Sequence, residues 1–294
     1  MNSIENTLQK KYMIAKFSTG KYNILKKDKR GSQAGAEKYG AEEILCKFTK
    51  QAIPKEYIDA IQKNISDFRT YLYKYSSPWS HKGEVLFPCV FYKKIMDKER
   101  ETAIIHEDLV KDFLNNWDLY KTEAARRLNG LYKESDYPDI SKVTKKFKWN
   151  LTFIPVPAAG NFQIDIAEDI KADIMAGLST SNQIGIDKAM ASAWSRVFES
   201  IKSLSEKMKE TRKNKKGEET APVFRDSIIE NIKELTEILP DLNITGDQAL
   251  EAARQDLIKD IAGLDPDTLR ENKQLRIDTA AAADKILNKI ENLF

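Results

Sequence analysis

The residues that could support catalysis in this chain are few and scattered. Its histidines are His81 and His106, its cysteines are Cys46 and Cys89, and no H-E-x-x-H or C-x-x-C spacing brings them together. A zinc site would need all four to converge from distant positions. The cysteines lie in apolar runs, which favours plain buried thiols in a reducing compartment. We interpret His106 as an exposed residue at the start of a helix.

Carboxylates offer a second possible chemistry, metal-dependent hydrolysis. Asp165 is close in sequence to Glu168 and Asp169, and converging carboxylates can hold a divalent ion. These acids fall where a predicted strand gives way to a predicted helix, and there they stabilise the helix N-terminus without a metal. Phosphate-binding glycine motifs are absent. We therefore predict no catalytic residue, no metal and no cofactor, and a protein that is not an enzyme.

Basic residues form three groups that could contact phosphates. They are Lys26, Lys27, Lys29 and Arg30; then Lys142, Lys145, Lys146 and Lys148 beside Phe147 and Trp149; then Lys207, Lys209, Arg212, Lys213, Lys215 and Lys216. Lysines can bind a nucleic-acid backbone without sequence preference, and aromatic rings add base stacking. The alternative is ordinary solvated surface. For nucleic-acid binding we single out Lys26, Lys27, Lys29, Arg30, Lys145, Lys146, Lys148 and Trp149.

Composition limits the class of protein. The chain has 294 residues, 41% hydrophobic and 32% charged, which is enough apolar content for a folded core. With 48 basic and 45 acidic residues the net charge is only +3, so any nucleic-acid binding must come from local clusters. The N-terminus is polar and no apolar run approaches a membrane span. We expect a cytoplasmic protein without membrane contact.

Alternating apolar and polar residues predict a small sheet. The pattern occurs in 149–157 and 162–166, which indicates a β-hairpin. A lone hairpin is marginal in water, so 12–17 is the expected third strand. Residues 26–40 hold three glycines and the first basic cluster, and we predict a mobile loop there.

Apolar residues at spacings of three and four predict helices over most of the rest. The predicted helices cover 41–53, 54–75, 89–131, 139–146, 167–212, 222–239, 245–263 and 266–290. Their apolar stripes can form a shared core or partner grooves. The predicted class is mainly α (α+β), with long amphipathic helices and a small three-stranded antiparallel sheet. We predict an N-terminal region, 1–166, with strand, helical hairpin and β-hairpin, and a C-terminal helical region, 167–294, in one compact unit.

Several segments resemble a known family. They are LYKESDYPDISKVTKKFKWNLTFIPVPAAGNFQIDI (131–166), SSPWSHKGEVLFP (76–88), FRDSIIENIKELTEILPDLNITGD (224–247) and LRENKQLRIDTAAAADKIL (269–287). They resemble a broad family of bacteriophage and prophage proteins of unassigned function, across nearly the whole chain. Relatives are often encoded near MoxR or cobaltochelatase-type ATPases and von Willebrand A domains. The resemblance supplies no catalytic residues.

Two hypotheses follow. The first is a non-enzymatic bacteriophage accessory protein that binds phage or host proteins as an oligomer in the host cytoplasm, either against a defence complex or with a phage ATPase. The second is a sequence-nonspecific nucleic-acid-binding protein of phage DNA metabolism. An enzyme would require a convergent cluster that the linear sequence hides.

Overall fold

The computed structural model describes residues 3–80, 82–157, 167–210, 212–213, 219–220 and 225–291. Within these ranges the chain forms the α-helices α1 Ser3–Lys11, α2 Lys29–Tyr39, α3 Glu56–Lys74, α4 Tyr92–Asn115, α5 Trp117–Leu128, α6 Ile140–Thr144, α7 Glu168–Lys209, α8 Ser227–Leu242, α9 Gln248–Asp260, α10 Pro266–Glu271 and α11 Lys273–Glu291. The strands are β1 Tyr12–Gly20, β2 Leu25–Lys27, β3 Thr49–Gln51, β4 Ser77–Pro78, β5 Glu84–Pro88, β6 Lys148–Pro155, β7 Arg212–Lys213 and β8 Glu219–Thr220. The predicted mainly α (α+β) class is confirmed.

A small sheet has the strand order β4-β5-β1-β6. In its antiparallel pair β4–β5, Ser77 lies opposite Leu86. The predicted strands at 12–17 and 149–157 are present as β1 and β6, while 162–166 lies outside the described residues. The sheet therefore has four described strands rather than the three predicted. Strand β5 was missed because it is an almost continuously buried run, which alternation does not detect.

Helix α2 occupies the segment predicted to be a mobile loop, so that prediction is wrong. The Asp28 side chain accepts hydrogen bonds from the backbone N–H groups of Arg30 and Gly31, as an N-cap does. At the other end Gly40 adopts φ 63°, the left-handed conformation that commonly terminates helices. The two caps stabilise the helix by more than the glycines inside the segment destabilise it.

The prediction of a helix at 41–53 is also wrong. A single 3-10 turn, Glu43–Leu45, is followed by β3, which pairs antiparallel with β2. Ile44, Leu45 and Phe48 have helical spacing, but all three are exposed. With no core to bury that stripe, helical spacing alone does not make a helix.

The remaining predicted helices are present, with changes at their ends. The helix predicted at 89–131 is divided at Asn116 into α4 and α5, and the last one is divided at Asn272 into α10 and α11. Pro240 was predicted to end its helix, but α8 continues to Leu242. Proline cannot donate to the carbonyl of Thr236 four residues earlier. That carbonyl accepts a hydrogen bond from Arg254 Nη1 at 3.3 Å instead.

The chain divides into two compact units, each built from discontinuous segments. The first unit comprises Met1–Ala15, Tyr73–Phe91 and Phe153–Phe294, and the second comprises Lys16–Leu72 and Tyr92–Thr152. The predicted regions 1–166 and 167–294 stay a prediction.

The first unit is organised around α7, which packs against α8 and α11. One face of α7 is buried along its C-terminal half, at Ile186, Ala189, Ala193, Val197, Ile201 and Leu204. Gly185 begins this face and lies directly under the indole of Trp79. The Arg196 guanidinium donates hydrogen bonds to the carbonyl oxygens of Tyr73, Lys74 and Ser76, at 2.6–3.0 Å.

The second unit has an aromatic core. The rings of Phe17 and Phe68 are 4.8 Å apart, and Trp149 lies 4.7 Å from Phe17. Phe113 and Trp117 continue the core from α4 and α5. The stripe predicted for α3 is confirmed as core at Ile58, Ile61, Ile65, Phe68 and Leu72.

Candidate functional site

Exposed apolar side chains occur in the second unit from the last residue of α2 to the residue before β3. Tyr39, Ile44 and Leu45 are 78%, 78% and 76% exposed, and Phe48 is 38% exposed. We call these four residues the apolar surface. Scattered exposed apolar side chains are ordinary, but a concentration of large ones marks an interaction site. Four within ten residues of chain make this segment the strongest binding candidate in the second unit.

Hydrogen bonds fix the backbone that carries the apolar surface. The N–H of Leu45 donates to the carbonyl of Glu42 at 3.0 Å, which closes the 3-10 turn. The N–H of Phe48 donates to Ser32 Oγ at 3.0 Å, and its carbonyl accepts from the N–H of Asp28 at 3.1 Å. The segment is therefore tied to the first turn of α2.

Close packing adds to these hydrogen bonds. A Cβ atom on Gly31 would lie 2.3 Å from Phe48 Cδ1, so the Phe48 ring rests directly on the backbone of α2. Only glycine allows this approach without displacing the ring. The position of Phe48 within the apolar surface thus depends on a residue of α2.

A buried ion group supports the same region. Lys50 Nζ lies 2.7 Å from Asp28 Oδ2 and 3.0 Å from Asp136 Oδ2, and the Lys50 and Asp28 side chains are almost fully buried. Hydrogen bonds from Arg30 and from Lys50 hold the pKa of Asp28 well below its usual range. Burial alone would lower the pKa of Lys50, but its two carboxylate partners outweigh burial and raise it. Asp28 and Lys50 therefore stay charged near neutral pH.

Charges of both signs flank the apolar surface. Lys38 and Lys47 are exposed, as are Glu42 and Glu43. The ammonium of Lys38 lies 5.5 Å from the centre of the Tyr39 ring, within cation–π range. Two positive and two negative residues leave the segment without a net charge that would select a highly charged partner.

The first basic cluster is partly committed to the fold. Arg30 donates to the carboxylate of Asp28 and, through Nη1, to the carbonyl of Gly130 at 2.8 Å. Lys26 lies 5.0 Å from the Tyr22 ring centre. Lys27 and Lys29 are exposed. Arg30 therefore stabilises the start of α2 while its side chain remains 56% exposed.

The second basic cluster contains exposed lysines and one committed tryptophan. Lys145, Lys146 and Lys148 are exposed. Trp149 is half-buried, and its Nε1–H donates to Glu99 Oε1 at 2.9 Å. Its ring packs in the aromatic core, which argues against a free stacking platform. All eight residues singled out for nucleic-acid binding belong to the second unit.

The third basic cluster is only partly described. Lys207 pairs with Glu210 at 2.8 Å, and Lys209 pairs with Asp284 at 2.7 Å. The side chains of 211–224 lie outside the described residues.

His106 and the cysteines differ from their predicted environments. His106 is not an exposed helix-start residue, since it lies inside α4 and is 4% exposed. The helix begins at Tyr92, well before His106. Cys46 and Cys89 are free thiols of intermediate exposure rather than fully buried, and His81 lies outside the described residues.

In the ranges that the structure describes, no three His, Cys, Asp or Glu side chains are placed to hold a metal ion. Among the helices in those ranges, none combines the length and the apolar character needed to cross a membrane.

The apolar surface was not predicted, because the spacing of Ile44, Leu45 and Phe48 is that of a helical stripe. The signal that could have found it is Gly40, a terminating glycine that separates these residues from α2.

No family model, curated protein or solved structure matches this chain. The bacteriophage resemblance rests on the segments quoted above and stays a prediction.

Proposed function

We propose that this chain is a non-enzymatic bacteriophage accessory protein that acts in the host cytoplasm by binding other proteins, as an oligomer. The observation that carries the binding function is the apolar surface of Tyr39, Ile44, Leu45 and Phe48. The phage context is supported by the sequence segments that resemble phage and prophage proteins. A host defence complex and a phage ATPase are the partner classes that this context suggests.

The energetics favour a partner for the apolar surface. Burying an exposed Leu or Ile side chain contributes about 1.5–3 kcal/mol. Tyrosine is enriched at the centres of interfaces because a large ring is buried with few rotatable bonds. Since the backbone of this segment is already fixed at Leu45 and Phe48, little ordering cost remains to be met on binding.

We assign a second copy of the chain as the partner that covers the apolar surface. In a two-fold dimer the same surface of both copies forms the interface, so each charged residue faces residues of the apolar surface on the other copy. Lys38 and Lys47 can then approach Glu42 and Glu43 of the other copy, with the apolar side chains between them. Because the positive and negative residues around the apolar surface balance, a strongly charged partner would gain no net electrostatic attraction there.

Light scattering and sedimentation equilibrium test this assignment. We expect the wild-type chain to dimerise at micromolar concentrations and Ile44→Glu with Leu45→Glu to be monomeric. The matched control is Ile104→Glu with Ile105→Glu, another adjacent exposed pair, 62% and 44% exposed, in the same unit. A wild-type monomer, or equal effects of both pairs, would reject the assignment.

The wider binding function is tested by affinity purification from infected cells. We expect a phage or host protein to be recovered in stoichiometric amount with the wild-type chain and with the control pair. A chain that is monomeric and recovers no protein in stoichiometric amount contradicts the proposed function.

A second candidate function, nucleic-acid binding, is favoured by the three exposed lysines Lys145, Lys146 and Lys148. Phosphate contacts release counterions, so binding to an oligonucleotide should weaken steeply with added salt. Lys145→Glu with Lys146→Glu should remove binding, while Lys93→Glu with Lys94→Glu, another exposed pair in that unit, should not. Absence of binding at low salt ends this hypothesis.

A further inference from the structure

Exposed isoleucines form a stripe along the N-terminal half of α7 in the first unit. Ile170, Ile174 and Ile184 are 51%, 37% and 49% exposed. We call these three residues the isoleucine stripe. With about 3.6 residues per turn, they lie within about 80° of one another around the helix axis. The buried residues Ile186 and Val197 lie on the opposite side of α7, so the isoleucine stripe faces away from the core.

Small residues separate the isoleucines. Gly177 and Ser181 lie between Ile174 and Ile184 at spacings of three and four, so all five positions from Ile170 onward follow one heptad seam. No described residue lies within 4 Å of the place where a Cβ atom on Gly177 would be. A second helix can therefore approach the backbone of α7 closely at Gly177, with isoleucines on both sides of the crossing. The isoleucine stripe is about 21 Å long, which is the length of about 14 residues of a partner helix.

The N-terminal half of α7 lacks the packing that stabilises the rest of this helix. Among residues 168–181, all of which the structure describes, none is buried. The segment also contains Gly177, Ser179, Thr180 and Ser181, which are weaker helix formers than alanine. Helices in proteins are stabilised mainly by the packing of an apolar face. A helix that packed on the isoleucine stripe would therefore stabilise this half of α7.

Acidic residues flank the isoleucine stripe on one side. Asp169, Asp173 and Asp187 are exposed and lie about 60–100° around the helix axis from the centre of the stripe. Residues 168–187 contain four acidic residues and one lysine, which gives a net charge of −3. A basic partner would be attracted to this flank, whereas a nucleic acid or an anionic membrane surface would be repelled by it.

A second copy of the chain is a poor match for the isoleucine stripe. In an antiparallel two-fold pair of α7 helices, each flank lies beside the same flank of the other copy. The three aspartates would then face three aspartates, and like charges across an interface weaken association. The apolar surface differs, because its flanking charges balance. The charges therefore favour a different protein as the partner of the isoleucine stripe.

We propose that the isoleucine stripe is the docking site for an amphipathic helix of a phage or host partner protein. The apolar face of that helix covers Ile170, Ile174 and Ile184, and its Lys or Arg residues lie beside Asp169 and Asp173. The inference rests on the proposed protein-binding function. It assigns the partner protein to a different surface from the one that joins two copies of the chain.

Fluorescence anisotropy with two labelled amphipathic model peptides tests the docking chemistry on the full chain. One peptide has leucines at heptad spacing and lysines on both flanks, and the other has glutamates in place of the lysines. We expect one lysine peptide to bind per chain, and the glutamate peptide to bind at least about tenfold more weakly. Asp169→Lys with Asp173→Lys should reverse this preference.

Two pairs of substitutions test the apolar contact. Ile174→Ser with Ile184→Ser should weaken binding of the lysine peptide at least about tenfold, because it removes apolar contacts without changing the charge. The matched control is Ile258→Ser with Ile277→Ser, two other exposed isoleucines of the first unit, 41% and 50% exposed. The control pair should bind as the wild type does, and circular dichroism checks that both variants are folded.

Affinity purification from infected cells separates this inference from the proposed function. We expect a partner protein in stoichiometric amount with the wild type and the control pair, but not with Ile174→Ser with Ile184→Ser. Its recovery with that variant overturns the inference and leaves the proposed function intact, whereas recovery with no chain counts against both. Equal affinity for the two peptides, equal effects of the two isoleucine pairs, or a dimer that Ile174→Ser with Ile184→Ser dissociates also overturns the inference.

Discussion

The ammonium of Lys50 lies 2.7 Å from the carboxylate of Asp28, and both side chains are almost completely buried. The same carboxylate accepts hydrogen bonds from backbone N–H groups in the first turn of α2. Lys50 belongs to β3, and its second carboxylate partner is Asp136. One lysine therefore joins β3 to the start of the helix that supports the apolar surface.

Replacing Lys50 with methionine should destabilise the protein by about 3 kcal/mol, because it leaves the buried Asp28 carboxylate with only the exposed Arg30 as a cation partner and removes the cation beside Asp136. The control is Lys55→Met. Lys55 pairs with Asp59 at 3.6 Å on an exposed helix face, and such pairs contribute at most about 1 kcal/mol. Urea unfolding measures both changes. Equal losses for the two variants would show that the buried ion group has no special role.

The contact of Gly31 with Phe48 predicts opposite effects for two glycines of α2. Gly31→Ala should displace the Phe48 ring, since the new Cβ would lie 2.3 Å from Cδ1, and should weaken self-association. Gly35 has no neighbour within 4 Å, so Gly35→Ala should stabilise the helix by about 0.5–1 kcal/mol and leave association unchanged. Sedimentation equilibrium and urea unfolding measure the two effects. Unchanged association of Gly31→Ala would contradict the proposed role of Phe48.

Parts of the fold could be predicted because their signals are local. The alternation of apolar and polar residues identifies β1 and β6. The apolar stripe of α3 is long enough to distinguish helical spacing from the period of two that a strand has. Strand β5 lacks such a signal, since a short run buried on both sides has no period. Helix α2 is mostly exposed, and its only signals are the caps Asp28 and Gly40.

The candidate sites were harder to predict for a physical reason. A periodic pattern shows which residues share a face but not whether anything covers that face. Ile44 and Leu45 have the spacing of a core stripe and are exposed, whereas His106 is polar and buried. The exposed apolar residues and the buried histidine both depart from the usual rule that apolar side chains are buried and polar ones exposed, as residues of functional sites commonly do. The basic clusters could be located from the sequence, but only the structure shows that Arg30 donates a hydrogen bond to the Asp28 carboxylate.

In the first unit, the packing of Trp79 on Gly185 predicts a steric effect. A Cβ atom on Gly185 would lie 2.6 Å from Trp79 Cε3, and Trp79 is itself buried. Gly185→Ala should therefore cost about 1–3 kcal/mol, as overpacking does. Gly177 lies on the same helix with open space around it, and Gly177→Ala should add up to about 1 kcal/mol. Thermal unfolding compares the two; a stabilising Gly185→Ala would refute the close contact.

Protonation of His106 should make stability depend on pH. Burial lowers the pKa of the folded imidazole, while the unfolded value is about 6.5. As pH falls below about 6.5, the unfolded chain binds a proton that the folded chain does not yet bind, so the free energy of unfolding decreases. The loss can reach about 1.4 kcal/mol per pH unit and ends below the folded pKa.

The variant His106→Leu isolates this contribution, because leucine fills the site without a titrating group. The free energy of unfolding should fall less for His106→Leu than for the wild type between about pH 7 and pH 5. Urea unfolding at several pH values measures the difference. Glu107, the neighbouring acid, acts in the opposite direction by favouring the protonated ring, so Glu107→Gln should steepen the dependence. Parallel pH profiles for the wild type and His106→Leu would mean that the buried imidazole does not titrate differently on folding.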